Sequence, residues 1–131
     1  MHHRDRGWTL IELIVVIALI MILASLAMNQ YRTSVRAAEE AALRSNLFRM
    51  RDAIDQYYAD KGEYPASLQT LASDGYIRAI PIDSVTKSSA TWTTIAAEAD
   101  PSRPTTSPGI YDVKSGSDGT ALDGSRYSDW D

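Results

Sequence analysis

The sequence predicts an α+β protein. One long N-terminal helix, apolar in its first half and amphipathic in its second, packs on a small antiparallel β-sheet. Three observations predict it. Residues 8–28 are almost wholly apolar. Residues 31–60 contain no Gly or Pro and carry apolar side chains at helical spacing. Residues 91–98 and 109–114 then read as two short strands, joined by the proline-rich, polar stretch 100–108. Bulk composition hides this division, because 44% hydrophobic and 23% charged residues over 131 positions is an ordinary globular average.

The apolar stretch holds only Thr9, Glu12 and Ser25 as polar residues. As a helix its 21 residues would span roughly 30 Å, enough to cross the hydrocarbon core of a bilayer. Arg4 and Arg6 precede it, so the N-terminus is expected in the cytoplasm and the bulk of the chain outside. Three readings are open: a plain membrane anchor, a secretory signal cut after Ser25-Leu26-Ala27, and a basic leader of residues 1–7 cut before the apolar run. Glu12 favours the third. A carboxylate at the centre of a membrane span costs about 2.5–3.5 kcal/mol, less near an end, and an anchor or signal gains nothing in return. Cutting the Gly7–Trp8 bond creates an ammonium group at Trp8, one helical turn from Glu12. The two charges neutralise each other in a low dielectric, within one chain or between neighbouring subunits, where the pair would set axial register. The alternative is that Glu12 only complements the positive end of the helix dipole.

In the second half, apolar residues recur at Val35, Ala38, Ala42, Leu43, Leu47, Met50, Ile54 and Tyr57. The last five are spaced four, three, four and three apart, a single stripe suited to packing on a sheet. Arg36, Glu39, Glu40, Arg44, Arg51 and Asp55 fall largely on other faces and read as a solvated surface. Lys61 and Gly62 supply a terminal cation and a C-cap. The expected helix is about fifty residues long, roughly 80 Å. Beyond it come a short helix at 67–73 capped by Ser67, a turn at Asp74-Gly75, an extended stretch at 76–81 and a loop at 84–89. The organisation is therefore a leader (1–7), a hydrophobic transmembrane and assembly helix (8–30), and a head (31–131). The head comprises helix 31–60, a variable loop region 61–90, and a hairpin with C-terminal loop at 91–131.

Several functions are excluded or disfavoured. The chain has no Cys, and its two histidines, His2 and His3, read as part of the basic leader rather than a metal site. Once the leader is gone, Ser-His-Asp, Cys-His and His-metal chemistries are absent, so no enzyme is expected. A net charge of −4 argues against sequence-independent nucleic-acid binding. In the tail, Asp118-Gly119 and Asp123-Gly124 are explained by ordinary turns. A calcium loop is the functional alternative, though the spacing is not that of an EF-hand.

Gly7-Trp8-Thr9-Leu10-Ile11-Glu12-Leu13, ahead of the apolar run, resembles the processing motif of type IV pilins and type II secretion pseudopilins. The resemblance implies a prepilin peptidase that cuts after Gly7 and methylates Trp8, and a role for Glu12 in subunit recruitment. Two departures stand out: Trp8 replaces the usual Phe, and residues 27–30 lack the proline at which the helices of many relatives kink. Tyr64-Pro65, Leu68-Gln69-Thr70-Leu71, Gly75-Tyr76-Ile77-Arg78 and Ile80-Pro81, in that order, look like the major pseudopilin of type II secretion. That likeness implies the pilin fold and a structural subunit of a homo-oligomeric filament that drives protein export. The implied partners are minor pseudopilins, the prepilin peptidase, the inner-membrane assembly platform and, before assembly, membrane lipid. The implied location is the bacterial inner membrane, single-pass, with a periplasmic head. The alternative is a pilin of a surface pilus for adhesion, motility or DNA uptake, against which the missing cysteines weigh because such pilins often close their C-terminal region with a disulfide. The likeness also implies calcium in the tail, with Asp118, Asp123 and Ser117 as ligands and further oxygens from Ser115 and Ser125. Leu122 stands where relatives often have a second aspartate beside Asp123, which removes a ligand. Trp130 is expected to pack the tail on the head.

Overall fold

The structure, a computed structural model, describes residues 4–102 and 108–131, with side chains from Trp8 onward. His2, His3 and positions 103–107 of the proline-rich connection lie outside the described residues. The chain divides into two units, Met1–Arg36 and Ala37–Asp131, and helix α1 (Arg4–Lys61, 58 residues) runs through both. α1 passes through residues 27–30 without a break, as expected of a stretch with no proline to remove an N–H or clash with the preceding turn.

In the first unit the apolar side chains from Trp8 to Met28 are exposed all round the helix. Within this surface Ser25 Oγ donates to the Met21 carbonyl (2.8 Å), and beyond it Thr33 Oγ1 donates to that of Asn29 (3.1 Å), so both hydroxyls are satisfied on the helix itself.

In the second unit α1 buries one stripe, Leu43, Leu47, Met50, Ala53, Ile54 and Tyr57. Val35, Ala38 and Ala42, the apolar positions that precede the stripe, are exposed. The stripe begins only where the head supplies a surface to cover it. Gly62 ends α1 with φ +71°, its N–H donating to the Tyr58 carbonyl (2.8 Å). Helix α2 (Leu68–Ser73) is capped by Ser67, whose Oγ accepts from the Thr70 N–H, and it buries Leu68 and Leu71 against the stripe. Gly75 (φ +83°) makes the turn that follows. Residues 76–79 are a series of bends rather than the extended stretch expected, because the Tyr76 and Ile77 N–H groups both return to the Leu71 carbonyl (2.9 and 3.3 Å). Tyr76 also donates its hydroxyl to Asp60 (2.8 Å), and that hydrogen bond pushes its pKa up to about 12.

The sheet has two antiparallel strands, β1 (Thr93–Ala96) and β2 (Ile110–Lys114), with Thr93 opposite Lys114 and Ala96 opposite Ile110. The strands are shorter than the sequence suggests, and the register slips between Ile95 and Ala96. Two glycines allow close backbone approach at the strand ends: a Cβ at Gly109 would collide with the Tyr64 carbonyl, and one at Gly116 with that of Thr91. Val113 faces the core together with Trp92, Ala121, Tyr127 and Trp130. The loop at 84–87 is organised by Asp83, which is fully buried. Its Oδ1 accepts from the Val85 and Thr86 N–H groups, and its Oδ2 accepts from Ser115 Oγ (2.6 Å), joining the loop to the end of β2.

If the stripe from Leu43 to Tyr57 holds the head together, Ile54→Ala should cost about 2–5 kcal/mol. Val35→Ala, at an exposed site, should change stability by less than about 0.5 kcal/mol. Denaturant unfolding of the full chain in detergent micelles checks both values, and equal costs would contradict the assignment.

Candidate functional site

Two regions carry the residues singled out by sequence. The first is the start of α1. The Gly7–Trp8 peptide lies within the helix, Trp8 is 77% exposed, and Glu12 is exposed one turn further on. Four residues correspond to about 6 Å of rise, so an amine created at Trp8 would fall within reach of the Glu12 carboxylate on the same helix face. The surrounding surface is long and apolar enough to cross a membrane, and none of it is buried in the fold. A surface of this size left uncovered in water marks a membrane or protein contact.

The second region is the tail. After β2 the chain forms a tight loop in which the Ala121 N–H donates to the Ser125 carbonyl (2.6 Å) and the Tyr127 N–H to that of Gly119 (3.3 Å). Gly124 sits at φ +86°, a conformation glycine adopts without strain. Asp123 Oδ1 accepts from both the N–H and the hydroxyl of Ser125 (2.9 and 2.5 Å). The Ser125 side chain, with help from its N–H and from Arg44, holds the Asp123 carboxyl below its ordinary value of 3.8. The tail closes with a 3-10 turn (Tyr127–Asp129) and the buried Trp130, which packs on the head as expected. Tyr127 and Trp130 meet edge to face, with ring centroids 5.1 Å apart.

The structure places Asp118 and Asp123 in this one loop, both exposed, with Ser117 half-buried between strand and loop. Among the described residues, no three acidic, His or Cys side chains come together in a way that could hold a metal.

The residues that sequence reasoning missed lie on α1. Glu40 Oε1 accepts from the Leu122 N–H (2.8 Å) and the Tyr127 hydroxyl (2.9 Å). Arg44 stacks its guanidinium over the Trp130 ring, 4.1 Å from the centroid. Arg51 donates to Asp112 (2.8 Å) and to the carbonyls of Val113 (3.0 Å) and Trp130 (2.8 Å). Glu39 pairs with Lys87 at 2.9 Å. These four charges therefore hold partners in the head, Arg44 while still exposed and the others half-buried, which corrects the expectation of a free polar surface. A signal was present: positions 40, 44 and 51, four and seven apart, project along one strip beside the core stripe.

Residues 2–28 match the family model described as the prokaryotic N-terminal methylation motif. The chain is 31% identical over 97 residues to type II secretion system core protein G of Pectobacterium carotovorum, covering 62% of each chain. It is 33% identical over 96 residues to the core protein G of Klebsiella pneumoniae, covering 61% of this chain and 69% of that one. The chain belongs to the core protein G family. It spans 62% and 65% of the length of the Pectobacterium and Dickeya chrysanthemi members of the family. A shorter likeness, 39% identity over 62 residues, joins it to fimbrial protein EcpC of Eikenella corrodens, with 40% of that protein covered. No solved structure matches. Together with the exposed apolar helix, membership of the family makes this a membrane-anchored, single-pass chain.

Because the folded tail favours the ionised form of Asp123, its contribution to stability is complete above pH 3.8 and is lost as the pH falls through the lowered value. NMR titration of the Asp123 carboxyl should give a midpoint below 3.8 in the native chain and a higher one in Ser125→Ala. Equal midpoints would contradict the role given to Ser125.

Proposed function

We propose that this chain is a non-enzymatic structural subunit of a type II secretion pseudopilus, assembled through α1 to drive protein export. One observation carries the reading: a helix with exposed apolar side chains all round it, interrupted near its start by Glu12, leads without a break into a folded head of the core protein G family. Before assembly lipid covers the apolar surface. In the filament, neighbouring α1 helices cover it.

A prepilin peptidase removes the leader between Gly7 and Trp8 and methylates the Trp8 amine. The basic residues Arg4 and Arg6 keep the leader in the cytoplasm, which puts the head in the periplasm. The Trp8 ammonium of an incoming subunit then pairs with Glu12 of its neighbour. Among apolar helices an unpaired carboxylate is costly, so assembly is favourable chiefly in the register that brings the two charges together. Minor pseudopilins and an inner-membrane assembly platform complete the partner set. The likeness to EcpC supports a second reading, a surface pilus, but it covers less than half of either chain.

Glu12→Leu subunits should insert into the membrane as well as native ones, since an apolar side chain removes a cost of insertion. Their recovery in pelleted filaments should fall at least tenfold, the equivalent of about 1.4 kcal/mol. Equal recovery would remove the charge pair from assembly. Deletion of the chain should abolish export of the secreted proteins. Lost surface fibres with export intact would favour the pilus reading.

A further inference from the structure

The family likeness implies calcium in the C-terminal loop, and the residues of this loop do not fit it. Calcium takes six to eight oxygens, most of them from carboxylates, carbonyls and water. Of the expected donors, all three hydroxyls already take part in hydrogen bonds within the protein. Ser115 donates to buried Asp83 and accepts from the Ser117 N–H. Ser117 accepts from the Gly119 N–H, and Ser125 donates to Asp123 while accepting from the Trp130 indole (2.8 Å). Asp123 Oδ1 already holds two donors, and Leu122 occupies the position where another carboxylate would help. Among the described residues, Asp118 and Asp123 belong to no group of three acidic, His or Cys side chains that could hold a metal.

We propose that this loop is fastened to α1 by side chains of the helix itself, Glu40, Arg44 and Arg51, and that it keeps its fold without a metal ion. A calcium ion would join strand to tail by gathering oxygens from both. Arg51 does the same work with nitrogen donors: one guanidinium binds Asp112 and Val113 of β2 and the Trp130 carbonyl of the tail. Its fork of donors lets one side chain hold three acceptors in a fixed plane. Glu40 secures the other end of the loop through Leu122 and Tyr127, and Arg44 covers the Trp130 ring between them. The three residues lie along one strip of α1, so the clasp is as rigid as the helix that bears it. Fixing the tail in this way does not depend on the filament reading, because every contact is within one head.

The test is thermal unfolding of the full chain in detergent micelles, with calcium at about 1 mM, the weak end of calcium-binding modules, and with chelator in its place. Expected are midpoints within about 1 °C of each other, and no heat of calcium binding by titration calorimetry at the same concentration. Arg51→Leu and Glu40→Leu should each lower the midpoint by about 4 °C or more without calcium. Arg51→Lys, which keeps the charge but loses the fork, should fall between native and Arg51→Leu, and it serves if Arg51→Leu fails to fold. A native midpoint that drops on chelation, or substitutions at 40 and 51 that leave it unchanged, would overturn the proposal.

Discussion

Everything in this molecule depends on the continuity of α1. A single helix of 58 residues carries two incompatible surfaces: apolar on all sides at one end, and apolar along one stripe at the other. An all-round apolar surface is stable only where water is excluded, in lipid or among identical helices. A single stripe is stable only against a folded partner, here the head. The absence of Gly and Pro between residues 31 and 60 lets the backbone pass between the two regimes with its hydrogen bonds intact. Because the two surfaces share one backbone, a filament that packs the first surface necessarily carries the second.

The head is small, has a two-stranded sheet and lacks disulfides, so its hydrophobic core needs help from polar contacts. That help comes from charged groups placed at its joints. Asp83 joins the loop after residue 83 to the end of β2. Arg51 joins β2 to the tail, and Glu40 joins the tail to α1. Each lies where two segments distant in sequence meet and backbone pairing cannot reach. Placement at such joints matters more than number, since exposed pairs such as Lys114–Asp131 contribute little.

Much of this was legible in sequence, for identifiable reasons. The apolar run, the stripe from Leu43 to Tyr57, the Gly62 and Ser67 caps and the two strands all follow from local periodicity or backbone preference. Trp130 was legible because a large aromatic ring in a polar tail has few places to go. Arg51, Glu40 and Arg44 were not, because a charged side chain beside an apolar stripe reads equally well as solvated or as reaching over the stripe's edge. The choice depends on hydrogen-bond partners 61 to 87 residues away in the chain. The bends at 76–79 were missed for a related reason: Tyr76-Ile77 alternates like a strand, but both N–H groups are claimed by the end of α2. The hydrogen bonds that Ser117 and Ser125 make within the C-terminal loop were not legible either, because they depend on how the loop closes on itself.

The proposal for assembly rests on an amine that exists only after the leader is removed and on an apolar helix that stays with the protein. Mass spectrometry of the chain recovered from its native membrane measures both at once. The predicted result is a mature protein that begins at Trp8, with a methyl group on its terminal nitrogen, and that retains the apolar segment through Met28. A chain that still carries residues 1–7, or one that begins after Ala27, would contradict it.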